Sequence, residues 1–191
     1  MAKPRQRSRR RTGSLYKGFL LPWLTRKGPV LRVAMKFIVL MVLYYGVTLM
    51  PFYDRAVDDY VGQNARLASV LLNWIGEQSH VYDSTIWSSQ FAITIQRACA
   101  ALEYPWFLCA AMLAFPAPFN RKIPGILAAW VLLPALNLVR ALSLYLVGVH
   151  LHSCFDLVHE ELWGVPLIAA TALLLAGWIA WARRDDKMVA T

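Results

Sequence analysis

Three residues that could together carry out acyl transfer stand far apart in the sequence: Cys99, Arg140 and His159. A cysteine thiolate is a strong nucleophile, and a nearby cation favours the thiolate form. Histidine titrates near neutral pH, so it can accept a proton and return it. A fixed guanidinium can stabilise a developing oxyanion. Together these residue types predict acyl transfer through a thioester.

Arg140 is the unusual member of this set, because it lies inside the apolar stretch LPALNLVRALSLYLVGV at residues 133–149. A cation in the hydrocarbon of a bilayer costs roughly 2.5 to 3.5 kcal/mol on insertion scales, and such residues usually have a function. Asn137 lies three residues earlier, so a helix would present it on the same face as Arg140. We therefore predict that Asn137 lines the same site.

The elements that must position these residues are membrane helices. The chain is 58% hydrophobic and only 16% charged, a composition typical of an all-α integral membrane protein. Four segments are long enough to span a bilayer, at residues 33–53, 100–119, 123–149 and 162–182. The second is the weakest, because Glu103 and three prolines interrupt its apolar run.

The charge distribution predicts the orientation of these spans. Eleven of the 20 Lys and Arg residues lie between Lys3 and Lys36, whereas the segments 54–99 and 150–161 carry much of the acidic charge. The positive-inside rule then places both termini in the cytoplasm and these two segments on the outer face. We expect the basic arm, 1–32, to be disordered and to contact anionic lipid. The net charge of +9 therefore does not predict a nucleic-acid partner.

The predicted membrane domain covers residues 33–182, with an outer cap at 54–99 and a cytoplasmic tail at 183–191. Apolar residues at helical spacing in 60–76 predict an amphipathic helix. The β-branched and aromatic residues of 81–98 predict short strands or a hairpin. This topology brings Cys99, Arg140 and His159 to the same level of the outer face. Glu103 follows Cys99 by four residues, so we expect it to support the site, for example as an ion-pair partner.

Other interpretations of the same residues remain open. Cys99 could form a disulfide with Cys154 in an oxidising compartment, while Cys109 is expected only to pack. Arg140 could bind a lipid phosphate or pair with Glu103. A zinc site is a further alternative, although no HExxH or CxxC motif supports it; its ligands would be His150, His152, His159 and Glu160.

Three short blocks of the sequence resemble the motifs of the exosortase/archaeosortase family. They are RACAALE at 97–103, NLVRALSLYLVG at 137–148 and FDLVHEELWG at 155–164. In that family a Cys begins one helix, an Arg follows an Asn inside the next, and a His or a second Arg opens the last. The family cysteine is commonly followed by a small residue and then Gly, where this chain has Ala101. The chain is similar to a short member, of the exosortase H type.

The resemblance implies a membrane cysteine transpeptidase without a cofactor or metal. Its substrates would be membrane-anchored proteins whose C-terminal signal consists of a short motif, one transmembrane helix and a basic tail. Cys99, Arg140 and His159 would be catalytic, on the periplasmic side of a bacterial cytoplasmic (inner) membrane. The sequence does not identify the acceptor. A non-enzymatic assembly factor or lipid-binding scaffold is the competing hypothesis, under which Cys99 is inert.

Overall fold

The computed structural model describes residues 12–155 and 157–184, with side chains from Gly28 onward apart from Cys154, Glu160 and Glu161. Helices dominate the chain and one small sheet interrupts them. In order, the elements are α1 (Thr12–Thr48), α2 (Pro51–Trp74), β1 (His80–Tyr82), β2 (Thr85–Trp87), β3 (Ala92–Thr94), a 3₁₀ turn (Arg97–Ala100), α3 (Glu103–Ala114), α4 (Phe119–His150), a 3₁₀ turn (His152–Cys154), a π-helix (Leu157–Leu162) and α5 (Gly164–Ala182).

Three helical segments in the described part of the chain are long and apolar enough to cross a membrane: Gly28–Thr48, Phe119–His150 and Leu157–Ala182. The predicted span at 100–119 contains only α3, whose 12 residues extend about 18 Å, against roughly 30 Å of hydrocarbon. The helix stops because Phe115 is extended, as expected of a residue that precedes a proline. The predicted count of about four spanning helices is therefore not confirmed.

The first helix also differs from its predicted limits. Met50 is extended and Pro51 occupies the first turn of α2, so the first span ends at Thr48 and the cap helix begins at once. At its other end α1 starts at Thr12. The basic arm is thus helical from Thr12 onward rather than disordered, and residues 1–11 lie outside the described residues.

The cap contains the amphipathic helix and the short strands that the sequence predicted. α2 buries one face, which includes Val61 and Leu72, against the sheet and the end of α4. The sheet is an antiparallel meander in the order β1-β2-β3. Phe91 anchors it to α4 at Gly148, where an added Cβ would overlap the Phe91 ring. Only glycine allows this close approach of the sheet to the helix.

A second core joins α3, α4 and α5 on the far side of the molecule from the cap. Its buried residues include Leu108, Met112, Leu133 and Trp178. Gly125 lets Trp178 approach α4 closely, and the indole N–H of Trp178 donates to a backbone carbonyl of α4 at 2.8 Å. α4 therefore runs through both cores: its residues 126–133 pack in the second core and its residues 138–149 in the first.

Candidate active site

Cys99 lies in the 3₁₀ turn between the sheet and α3. The turn ends at Ala101, whose φ of 54° and ψ of 27° are left-handed. On its other side, Arg97 forms a two-pronged ion pair with Asp58 of α2, with bonds of 2.6 Å, and contacts Asp54 at 2.7 Å. The turn that carries Cys99 is thus joined to the cap helix by ion pairs. The left-handed Ala101 ends this turn and places Cys99 just before α3.

Asn137 holds the backbone of this turn from the side of α4. Its amide Nδ2 donates to the carbonyl of Cys99 at 3.0 Å and to that of Ala100 at 3.3 Å. The side chain is 6% exposed. Asn137 therefore contacts the backbone of Cys99 itself, and its hydrogen bonds hold the turn that carries the thiol against α4.

His159 reaches the thiol from the opposite side. Its Nε2 lies 3.8 Å from Cys99 Sγ, a separation that suits a loosely poised nucleophile and base in a free enzyme. The imidazole stacks on Phe155 with ring centroids 5.7 Å apart and an interplanar angle of 14°. It is carried by the π-helix Leu157–Leu162, a rare element that often occurs at functional sites. Cys99 is a free, half-buried thiol, so the alternative disulfide with Cys154 is not formed.

Arg140 lies on the cavity side of α4, one turn after Asn137, and is half-buried. Its Nε is buried and has no hydrogen-bond partner within the described ranges. Buried polar groups in native proteins nearly always have partners. An unpaired guanidinium N–H in a cavity is therefore available to a group that enters it.

These side chains surround one cavity of about 390 Å³, called here the Cys99 cavity. Its floor is α4, from Asn137 to Leu144. One wall is formed by six consecutive residues, 91–96, and the other by His152, Phe155 and His159. The structure thus brings Cys99, Asn137, Arg140 and His159 together, in a cavity whose remaining walls are largely apolar.

Two of the residues considered from the sequence lie elsewhere. Glu103 is exposed at the first position of α3 and does not line the Cys99 cavity. His150 pairs with Glu77 of the cap at 3.3 Å. Among the side chains that the structure describes, which do not include Cys154, Glu160 and Glu161, no three His, Cys, Asp or Glu form a group that could hold a metal ion.

Sequence reasoning missed the apolar and aromatic walls of the cavity. It considered His152 only as a zinc ligand, whereas the side chain packs edge-on against Phe91 with centroids 5.8 Å apart. Phe91 also contacts Phe155, at 5.5 Å, so the two walls meet at this end of the cavity. The one available signal was the aromatic residue of FDLVHEELWG, four positions before His159 and hence on the same helical face.

The fold and the cavity together define an integral membrane protein with a candidate cysteine acyl-transfer site. A model of the transmembrane exosortase family matches residues 18–177, which is most of the chain. The chain therefore belongs to the transmembrane exosortase family. Comparison with curated proteins and with solved structures gave no match.

Proposed function

We propose that this exosortase is a membrane cysteine transpeptidase that cleaves a C-terminal sorting signal through a thioester on Cys99. The observation that carries the proposal is the 3.8 Å approach of Cys99 Sγ to His159 Nε2. Arg140 lies in the same cavity, and its Nε has no hydrogen-bond partner among the described residues. Family membership supports the general activity, and this geometry supports the assignment of roles to residues.

In the first half-reaction His159 Nε2 takes the proton of the Cys99 thiol, and the thiolate attacks the carbonyl carbon of the scissile peptide bond. The carbonyl π electrons move to oxygen, and the Arg140 guanidinium stabilises the resulting oxyanion. Collapse of this intermediate breaks the C–N bond. The leaving nitrogen takes the proton from His159, which releases the C-terminal segment as an amine.

The second half-reaction regenerates the thiol. The N-terminal part of the substrate is held on Cys99 as a thioester. An acceptor with an N–H or O–H group loses its proton to His159 and attacks the thioester carbonyl, and the thiolate that leaves recovers the proton. The apolar walls supplied by 91–96 and Phe155 reduce the access of water to the thioester, as transfer to another acceptor requires.

We place the site at the outer face of the bacterial cytoplasmic membrane, as the charge distribution indicates. A substrate anchored by one helix and a basic tail would then present the segment that precedes its helix to Cys99. The basic N-terminal arm would contact anionic lipid on the opposite face.

The test follows the size of a co-expressed reporter in cells. The reporter carries the motif, helix and basic tail of an exported protein encoded in the same genome. Cys99→Ala should abolish processing without loss of membrane insertion, because Cys99 is the one thiol among the described residues that line the cavity. Cys109→Ala and Cys154→Ala are the matched controls and should process the reporter. Cys109 is buried against α4 and α5 in the second core, away from the Cys99 cavity.

The same assay tests the other two roles. Arg140→Lys keeps the charge but loses the planar array of donors, so activity should be nearly abolished. His159→Ala should lose at least the ~10²-fold typical of general acid–base assistance. Wild-type processing by Cys99→Ala would refute the cysteine mechanism and favour the scaffold hypothesis.

A further inference from the structure

The third strand of the cap is an edge strand, and its free side meets the Cys99 cavity. The sheet order is β1-β2-β3, so β3 pairs only with β2 in the described chain. All six consecutive residues 91–96 line the cavity. Successive side chains of a strand point to opposite faces of a sheet, so a cavity against one face would touch every second residue. Because the three residues of β3 and the residues on both sides of it all line the cavity, we infer that the cavity runs along the strand edge.

The backbone hydrogen bonds identify the groups that this edge offers. Ile95 N–H donates to Ser84 O at 3.0 Å, and Ser88 N–H donates to Phe91 O at 2.9 Å. In an antiparallel pair, bonded and non-bonded positions alternate, so Ile93 bonds to its partner Ile86 in β2. The N–H and C=O groups of Ala92 and Thr94 therefore point away from β2, toward the free edge.

This edge lacks the features that usually block strand addition. Natural edge strands are protected by charged side chains, proline, bulges or a covering element. Residues 91–96 read FAITIQ, with no charge and no proline, and Ala92, Thr94 and Gln96 are exposed. Cys99 follows directly in the next turn.

We propose that the substrate segment that precedes the scissile bond binds as an additional strand against β3, through the backbone groups of Ala92 and Thr94. The inference rests on the proposed function, which supplies an extended, membrane-anchored polypeptide as the occupant. Main-chain hydrogen bonds of this kind provide affinity that does not depend on the peptide sequence, and cavity walls select among side chains. Strand pairing also holds the peptide extended, so that its scissile carbonyl is delivered to Cys99 in a fixed orientation.

Proline substitutions on the enzyme test the edge directly. Ala92→Pro and Thr94→Pro each remove one outward N–H, and proline is tolerated on edge strands where the N–H is not used in the ladder. Each should raise KM and lower kcat/KM roughly tenfold for the reporter, with little change in kcat. Thr85→Val is the matched control. This variant removes the 2.9 Å hydroxyl contact between Thr85 and Thr94, which Thr94→Pro also disrupts. It leaves the backbone groups of the β3 edge intact, so its kcat and KM should be those of wild type.

The rate at which iodoacetamide alkylates Cys99 in the substrate-free enzyme reports whether each variant is folded. If both proline variants are alkylated at the wild-type rate and also keep the wild-type kcat/KM, the strand-addition proposal is overturned. Cys99→Ala in the same assay tests the chemistry separately. Loss of processing there, together with normal proline variants, would leave the proposed function standing and refute only the binding mode.

A second measurement uses the unaltered enzyme and therefore does not depend on the folding of any variant. Proline is placed at each position in turn of the reporter segment that precedes its transmembrane helix. Because a paired strand directs alternate N–H groups to its neighbour, processing should fall at every second position. A loss that is uniform along the segment, or confined to one position, would overturn the proposal.

Discussion

At the scale of a single residue, Arg140 is a cation inside the apolar helix α4. Its Nε is buried and unpaired in the described part of the chain, a situation that costs about 1–3 kcal/mol or more for a charged group. A lipid-facing arginine would instead extend toward the headgroups. The side chain lines the Cys99 cavity; under the proposed function, its partner is the oxyanion that forms there only during the reaction.

Ala101 occupies a left-handed conformation that glycine adopts freely. Ala101→Gly relieves roughly 1 kcal/mol of strain but removes a buried methyl group worth about 0.8 kcal/mol. We expect the free energy of unfolding to change by less than about 1 kcal/mol, with activity retained. Ala101→Val should destabilise the protein by more than about 2 kcal/mol, because a β-branched residue is poorly accommodated there. Thermal unfolding in detergent, together with reporter processing, checks both, and a tolerated valine would contradict the proposed constraint.

Asn137 is predicted to be a positioning residue through the two hydrogen bonds that it donates to the Cys99 turn. Asn137→Asp is nearly isosteric but replaces a donor by a carboxylate that faces two carbonyl oxygens. We expect kcat to fall at least tenfold and the alkylation rate of Cys99 to change, because the thiol is no longer held in place. Ser143→Ala, on the same helix, removes only a bond to the carbonyl of Arg140 and is the control. An unchanged alkylation rate in Asn137→Asp would argue against a positioning role.

At the scale of elements, Arg97 joins the turn that carries Cys99 to the cap helix through ion pairs with Asp58 and Asp54. The Arg97 guanidinium, which hydrogen-bonds Asp58, holds the pKa of that carboxyl below its ordinary value. The pair therefore stabilises the fold at any pH above the ordinary aspartate pKa of about 3.9. This contribution is lost as the pH falls through the lower, folded-state value.

The contribution of the Arg97–Asp58 pair can be tested by thermal unfolding. The unfolding midpoints of wild type and Asp58→Asn are measured from pH 7 down to pH 3. Wild type should be the more stable protein at pH 7, and the difference should shrink only below about pH 4. Added salt should also reduce it at pH 7, because the pair is about half exposed and is screened. A difference that does not vary with pH would show that Asp58 acts through something other than its charge.

Helix ends account for most of the errors in predicting the elements from the sequence. Apolar content alone could not show that Pro51 starts a new helix, or that the extended Phe115 closes α3 before it can span. The amphipathic α2 was predictable from its spacing. The strands have only three residues each, too few for a periodic pattern to define their register.

The candidate site was easier to predict than the fold around it. Asn137 and Arg140 are conspicuous because polar residues are rare in apolar segments. Cys99 and His159 could be predicted because each lies next to the outer end of a predicted span. Their convergence on one cavity is a property of the structure, and their catalytic roles stay predictions. The wall formed by 91–96 was not predictable, because the sequence does not show which strand of a sheet has a paired neighbour on only one side.

At the scale of the whole molecule, the charge distribution makes a testable prediction of orientation. In a cysteine-free background, single cysteines at Gln63 and Ser84 of the cap should react with a membrane-impermeant maleimide added to intact cells. A cysteine at Asn120, in the first turn of α4, should react only after the cells are permeabilised. The reverse pattern would place the Cys99 cavity on the cytoplasmic side and contradict cleavage of exported proteins at the outer face.

The contact of Phe91 with Gly148 determines which part of the molecule can move to admit a polypeptide. The Phe91 ring occupies the notch left by the missing side chain of Gly148; one turn earlier α4 carries Leu144, and the helix ends at His150. The sheet thus cannot slide along α4 unless the Phe91 ring leaves the space beside Gly148. We therefore expect the cavity to widen on the opposite side, where the 3₁₀ turn His152–Cys154 carries His152 and the π-helix Leu157–Leu162 carries His159. Under the proposed function, a substrate that displaced these turns on entry would move His159 away from the Cys99 thiol, and their return would restore the 3.8 Å approach.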